Sequence, residues 1–290
     1  MVRNVTIGDA TVRVEMLGRG RPVLFLHGIS AHGRAWRPVA ERFHAEQPGW
    51  ECWLPDLPGR GASDARPELS YTLDDEVRRL RTLVRALAPD GPRPQLVAGH
   101  SQGAAIGLAL AGAEPGIGAL LLSNPVTPEI RSPSVLRLLR APVARRMIGS
   151  VLAPLHAPLG RLVLRRACGP HFRAPPDLVA AYAGPWASPA RARTLLRILA
   201  DWRPAELEDR MPRRPVAAHV VSGAHDPRIP LGAARRLASR LDCDLTVCSD
   251  GGHVLTEQHP QLLARLLGEL AGRLPPDSGR RRNVPPRAAS

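Results

Sequence analysis

Three residues far apart in the chain, Ser101, Asp226 and His253, have the types and settings to do chemistry together. Ser101 stands in Gly99-His100-Ser101-Gln102-Gly103, a GxSxG stretch. Glycines two residues either side of a serine remove the Cβ atoms that would clash in a tight strand-to-helix turn. Such a turn lifts the hydroxyl clear of the backbone and sets the positive end of the next helix beneath it. A serine hydroxyl is a weak nucleophile until a base takes its proton, and that base needs an acid to orient it. Downstream, Gly223-Ala224-His225-Asp226 and Asp250-Gly251-Gly252-His253 each follow an apolar run. Together the three residues could attack a carbonyl, hold an acyl-enzyme and release it to water. His225 is a rival base, but it is too close to Asp226 for that acid to orient it. Asp56, Asp250 and Glu257 are rival acids, and His27 and His100 are expected to pack structurally.

The elements that must bring these residues together can be read from the apolar pattern. Residues 2–7 and 10–17 alternate around Gly8-Asp9 as a hairpin, and 23–26 is a continuous apolar run ending in His27-Gly28. A helix is predicted over 36–46 and a strand over 51–55. Thr72 with Asp75 opens a helix whose apolar spacing runs to Pro89-Asp90-Gly91-Pro92. Strand 95–99, helix 102–113 and strand 119–123 follow. Strands 216–222 and 244–249 and helices 231–241 and 259–274 complete the series. The alternation predicts an α/β fold: a doubly wound, mostly parallel eight-stranded sheet with helices on both faces. Residues 125–210 break the rhythm, with helical stretches near 134–148, 159–167 and 188–200. They read as a helical cap inserted after the sixth strand, between core segments 1–124 and 211–274. The tail 275–290 lacks periodicity and is expected to be disordered.

Taken in order, these marks resemble the α/β-hydrolase family, in its serine-nucleophile, cap-bearing branch. The resemblance rests on His27-Gly28, on Asp56-Leu57-Pro58-Gly59-Arg60-Gly61-Ala62-Ser63, on the GxSxG and on the late Asp226 and Gly251-Gly252-His253. It spans residues 2–274. It implies Ser101 as nucleophile, His253 as general base and Asp226 as orienting acid. The backbone N–H groups of Ile29 and Gln102 would form the oxyanion hole, and Asp56 would support its own loop. Asn124 stands where some relatives carry the acid, and an amide cannot serve as one. Dehalogenase and epoxide-hydrolase branches need an aspartate at position 101, so the serine implies an ester, lactone or thioester as substrate. Elimination, C–C cleavage, acyl transfer to an alcohol and perhydrolysis would use the same residues. A ligand receptor that keeps the fold without turnover is the reading from another class. His27, Trp186 and Val254 are expected to line the pocket, with Trp202 and Tyr182 as further aromatic candidates.

Composition bounds the remaining classes. The chain has 290 residues, 44% hydrophobic and 23% charged, which excludes global disorder. Its longest apolar runs, such as 104–111, fall short of a bilayer span, so no membrane association is expected. Four cysteines without a CxxC argue against a disulfide framework or zinc finger, so a cytoplasmic location is expected. No metal and no organic cofactor is implied. The net charge is +14, and every one of the forty basic residues is arginine. Ten aromatic residues in the whole chain are too few for a stacking nucleic-acid surface. More than half of the excess charge, +8, falls in residues 125–210. That density could meet an anionic substrate group or an acidic acyl carrier protein, or could simply be solvated helix surface.

Overall fold

The computed structural model describes residues 1–131, 133–168 and 172–275; the tail from 276 onward lies outside the described residues. Eight strands form one sheet: β1 (Val2–Ile7), β2 (Ala10–Gly18), β3 (Arg21–Leu26), β4 (Trp50–Pro55), β5 (Leu96–His100), β6 (Ala119–Ser123), β7 (Ala217–Gly223) and β8 (Asp244–Cys248). Their spatial order is β1-β2-β4-β3-β5-β6-β7-β8. β2 runs antiparallel to β1 and β4, and every other pair is parallel. The central strands β3, β5 and β6 are buried almost throughout, which is why they read as unbroken apolar runs.

Helices cover both faces. On one side, Trp36 and Phe43 of α1 (Arg37–Glu46) and its approach meet Leu263 and Leu267 of α10 (Pro260–Gly272) across Phe25 and Ala98. On the other, α2 (Leu73–Leu87), α3 (Gln102–Ala113) and α8 (Leu231–Arg240) pack over Leu24, Val97 and Leu120. The predicted cap of α2 is present: Thr72 Oγ1 accepts from the Asp75 N–H at 3.3 Å, and Asp74, Asp75 and Glu76 complement the helix dipole. α3 is built from small residues because it must lie close on the sheet. A Cβ at Gly103 would meet the Leu26 and His27 carbonyls.

Between β6 and β7 the chain is helical: a 3-10 turn over 134–140, then α4 (Pro142–Leu152), α5 (His156–Cys168), α6 (Pro176–Ala183) and α7 (Pro189–Asp201). The single helix expected over 134–148 is in fact two pieces. Pro142 disfavours helical backbone at Ala141, which is extended at φ −73°, ψ 122°, so α4 begins only after it. α6 was not anticipated, because its eight residues are too few for a clear period.

Pro142–Cys168 is a helical stretch of 27 residues with a window of mean hydropathy 1.4, long and apolar enough to cross a bilayer by length and composition. Interleaved Ala, Gly and Pro hide it from a search for unbroken apolar runs. It is no core helix, since only 22% of that window is buried.

Candidate active site

Ser101 terminates β5 and caps α3 with φ 55°, ψ −118°, a left-handed backbone that non-glycine residues seldom adopt. The turn is pinned from both sides. The Ser101 N–H donates to the Ser123 carbonyl at 2.9 Å, and the Ser101 carbonyl accepts from Ala104 and Val126. The hydroxyl is therefore held at the carboxyl edge of the sheet, 6% exposed.

Asp226 and His253 arrive on loops that follow β7 and β8. Those loops touch because Gly223 leaves no side chain between them; a Cβ there would meet the Gly251 and Gly252 carbonyls. His253 Nε2 lies 3.0 Å from Ser101 Oγ, and His253 Nδ1 lies 2.8 Å from Asp226 Oδ2. An ionised carboxylate can only accept, so Nδ1 carries the proton and Nε2 is free to accept from the serine. Burial would push the Asp226 carboxyl up. Its hydrogen bond and ionic contact with His253, with the N–H groups of Arg228 and Ile229 at 2.7 and 3.0 Å, hold it below the ordinary value.

Three neighbours complete the frame. Asn124, at φ 45° just after β6, donates through Nδ2 to Asp226 Oδ2 at 2.6 Å and to the Gly252 carbonyl at 3.3 Å. It helps to position the Asp226 carboxylate. His100 donates through Nε2 to the His253 carbonyl at 2.7 Å. Burial, aided by the charge of His253, lowers its pKa to about 3, so it stays neutral. The helical segment between β6 and β7 takes part as well: the His253 N–H donates to the Ala167 carbonyl of α5 at 2.6 Å.

The backbone N–H groups of Ile29 and Gln102 have no hydrogen-bond partner among the described residues, and both residues line the cavity over Ser101. The Gln102 side chain is turned away from that cavity. Its Oε1 accepts from Arg60 Nη2 at 2.7 Å, while Arg60 Nη1 reaches Glu76 Oε1 at 2.6 Å and the Pro58 carbonyl at 2.8 Å.

The rival residues have other occupations. Asp56 accepts from the Gly33 and Ala62 N–H groups at 2.6 and 2.8 Å, which ties its loop together. His225 is exposed. Asp250 lies 3.5 Å from His259 Nε2. Glu257 is pushed up to about 7 by burial and by the charge of Asp177. Cys248, Asp250 and His259 bring three donor atoms within 4.8 Å of one another, a spacing a metal could use. Burial and Asp250 push the Cys248 thiol up to about 11.

The cavity above Ser101 has a volume of about 430 Å³. Its walls are largely apolar, from Ile130, Val163, Tyr182, Leu199, Trp202 and Val254. Val254 lines this cavity together with the aromatic residues Tyr182 and Trp202. Trp186 is not among the residues that line the cavity: it packs beside Leu139, Leu196 and Ala200. His27 is also outside the wall, 1% exposed, with Nε2 accepting from the Leu57 N–H at 2.9 Å. Its conspicuous place after β3 serves the Asp56 loop.

Residues 23–266 match the family model described as the alpha/beta hydrolase family, and the chain belongs to that family. Among curated relatives it is similar to lipase LipV of Mycobacterium tuberculosis, 36% identical over 118 residues, which span 39% of this chain and 41% of that protein. It is also similar to a pimeloyl-[acyl-carrier protein] methyl ester esterase of Chromobacterium violaceum, 31% identical over 262 residues, 88% of this chain and 96% of that protein. Among solved structures, haloalkane dehalogenase DbeA from Bradyrhizobium elkani superposes with a TM-score of 0.76 at 22% identity. That match covers 94% of this chain and 98% of the dehalogenase, a likeness of fold.

Proposed function

We propose that the protein is a serine hydrolase that cleaves a carboxylic ester, lactone or thioester through an acyl-enzyme. One observation carries this reading: Ser101 Oγ, His253 and Asp226 form a continuous hydrogen-bonded chain of 3.0 and 2.8 Å beside an apolar cavity. Ser101 attacks the carbonyl carbon as His253 Nε2 takes its proton. The Ile29 and Gln102 N–H groups receive the developing oxyanion, each such donor contributing about 3–4 kcal/mol in comparable enzymes. His253 then protonates the departing alcohol or thiol, and a water deprotonated by the same nitrogen releases the acid. Asp226 remains ionised and holds the ring in the required tautomer. The esterase and lipase relatives support an ester substrate, and the apolar wall supports an aliphatic or aromatic acyl group. The insertion acts as a cap, closing the cavity from above with α5, α6 and α7. The +8 charge of residues 125–210, with the carrier-protein esterase among the relatives, supports a carrier-bound ester as a second reading.

A fluorophosphonate probe tests the core of this reading. It should modify Ser101, seen as a mass shift on the peptide that contains it, and abolish turnover across a panel of p-nitrophenyl esters, lactones and acyl thioesters. Unmodified Ser101 with intact turnover would remove the serine from its role.

A further inference from the structure

The insertion turns apolar side chains outward. Among the described residues, seven of the ten exposed large hydrophobic side chains lie between Val135 and Leu162. On α4 they form a stripe at four-residue spacing: Val143, Met147 and Val151 are 69%, 66% and 67% exposed. A helix on a water-facing surface carries polar residues at these positions. The opposite face of α4 is well seated, with the Arg145 guanidinium donating to the Leu139 and Arg140 carbonyls. The outward stripe is therefore a property of a docked helix, not of a displaced one.

Charge points to what covers it. Residues 130–176 hold nine arginines and no aspartate or glutamate. Arg140 and Arg146 flank the α4 stripe, and Arg161, Arg165 and Arg166 flank exposed Leu162 on α5. Apolar side chains bordered by unneutralised cations suit the boundary between anionic headgroups and acyl chains. An acidic protein would need an apolar strip of matching length beside its carboxylates to cover the same side chains. A groove of about 650 Å³ over Leu136, Arg137 and Arg140 shares Arg131, Pro133 and Trp202 with the cavity above Ser101.

We propose that this face docks the protein on a bilayer containing anionic phospholipid, with the α4 stripe in the headgroup boundary and the arginines on the phosphates. This departs from the expectation of no membrane contact. It is independent of the serine chemistry, because a catalytically dead chain would bind equally well.

The test is co-sedimentation of the Ser101→Ala chain with phosphatidylcholine vesicles, with and without phosphatidylglycerol. Binding is expected to require phosphatidylglycerol and to fall as salt is raised from about 0.01 M to about 0.15 M. Val143→Ser/Met147→Ser/Val151→Ser should weaken it at least tenfold, and Arg140→Gln/Arg146→Gln by about tenfold or more. Thermal melts establish that both variants fold; their changes lie on solvent-facing positions. Absence of binding to the anionic vesicles at low salt, or unchanged binding in both variants, overturns the proposal. So does a wild-type dimer in sedimentation velocity that the triple serine variant converts to monomer, since a second copy would then own the face. Binding of an acidic carrier protein at this face without vesicle binding overturns it too.

Discussion

The guanidinium of Arg60 holds the side chain of Gln102 at 2.7 Å, and both residues are only 1% exposed. Gln102 follows Ser101 directly, so this contact fixes the peptide that would face an oxyanion. It also closes a buried chain from the Asp56–Ser63 loop through Glu76 of α2 to the head of α3. A buried ion pair of this kind contributes little when whole and costs much when broken. Arg60→Met should therefore destabilise the protein by about 3–5 kcal/mol by leaving Glu76 uncompensated. Arg60→Met/Glu76→Leu should recover most of that loss in urea melts. If the single and double variants melt together, the pair is not what fixes this layer.

Asp226→Asn keeps the shape of the acid but leaves His253 free to adopt the wrong tautomer. Turnover should fall by about 10⁴-fold, the scale of the same change in the serine proteases that share this triad logic. Ser101→Ala should lose at least as much turnover without lowering stability by more than about 1 kcal/mol. Retention of a tenth of wild-type hydrolysis by either variant would contradict the assigned roles.

The helical segment between β6 and β7 reaches His253 through a backbone hydrogen bond, from the His253 N–H to the Ala167 carbonyl. Gly252 makes that approach possible, because a Cβ there would stand 2.5 Å from the Ala167 carbonyl and 3.0 Å from Cys168 Cα. Gly252→Ala should push the end of α5 away and lower kcat by about tenfold, the scale at which small misplacements act. Slower fluorophosphonate labelling of Ser101, with an unchanged far-ultraviolet spectrum, should accompany it. Wild-type kcat would mean that α5 does not help to place His253.

Glu257 offers a pH test. Its carboxyl is raised to about 7 by burial and then by Asp177, so the folded state favours the protonated form. Stability from this group is complete below its unfolded value near 4.5 and is lost as pH rises through about 7. Glu257→Gln should therefore match wild type at about pH 4 and exceed it by about 1–3 kcal/mol at about pH 8. Equal melting of the two proteins across that range would place Glu257 in water rather than buried near Asp177.

Much of this arrangement was legible because strands buried on both faces leave an apolar signature and motif residues sit where strands end. Val23–Leu26, Leu96–Gly99 and Ala119–Leu122 needed no tertiary information to be found. Ser101, Asp226 and His253 could be ordered along one sheet edge for the same reason. Their supports could not be read. Asn124, His100 and Arg60 act through contacts between segments 42 to 153 residues apart, and no local spacing encodes such partners. Trp186 and His27 misled for the opposite reason. Their types suit a pocket wall, but α7 and the Asp56 loop claim them first. The insertion was least legible, because proline-punctuated short helices carry neither a clear period nor a clear apolar run.

The left-handed backbone at Ser101 sets thermodynamic fitness against catalytic fitness at a single position. A side chain at φ 55° costs about 1–2 kcal/mol that glycine escapes. Ser101→Gly should thus melt above Ser101→Ala, although it leaves the unfolded chain freer. Laboratory evolution for heat resistance alone would drift toward glycine here and silently discard the hydroxyl that the proposed chemistry needs. Any such campaign on this scaffold must select for turnover at every round.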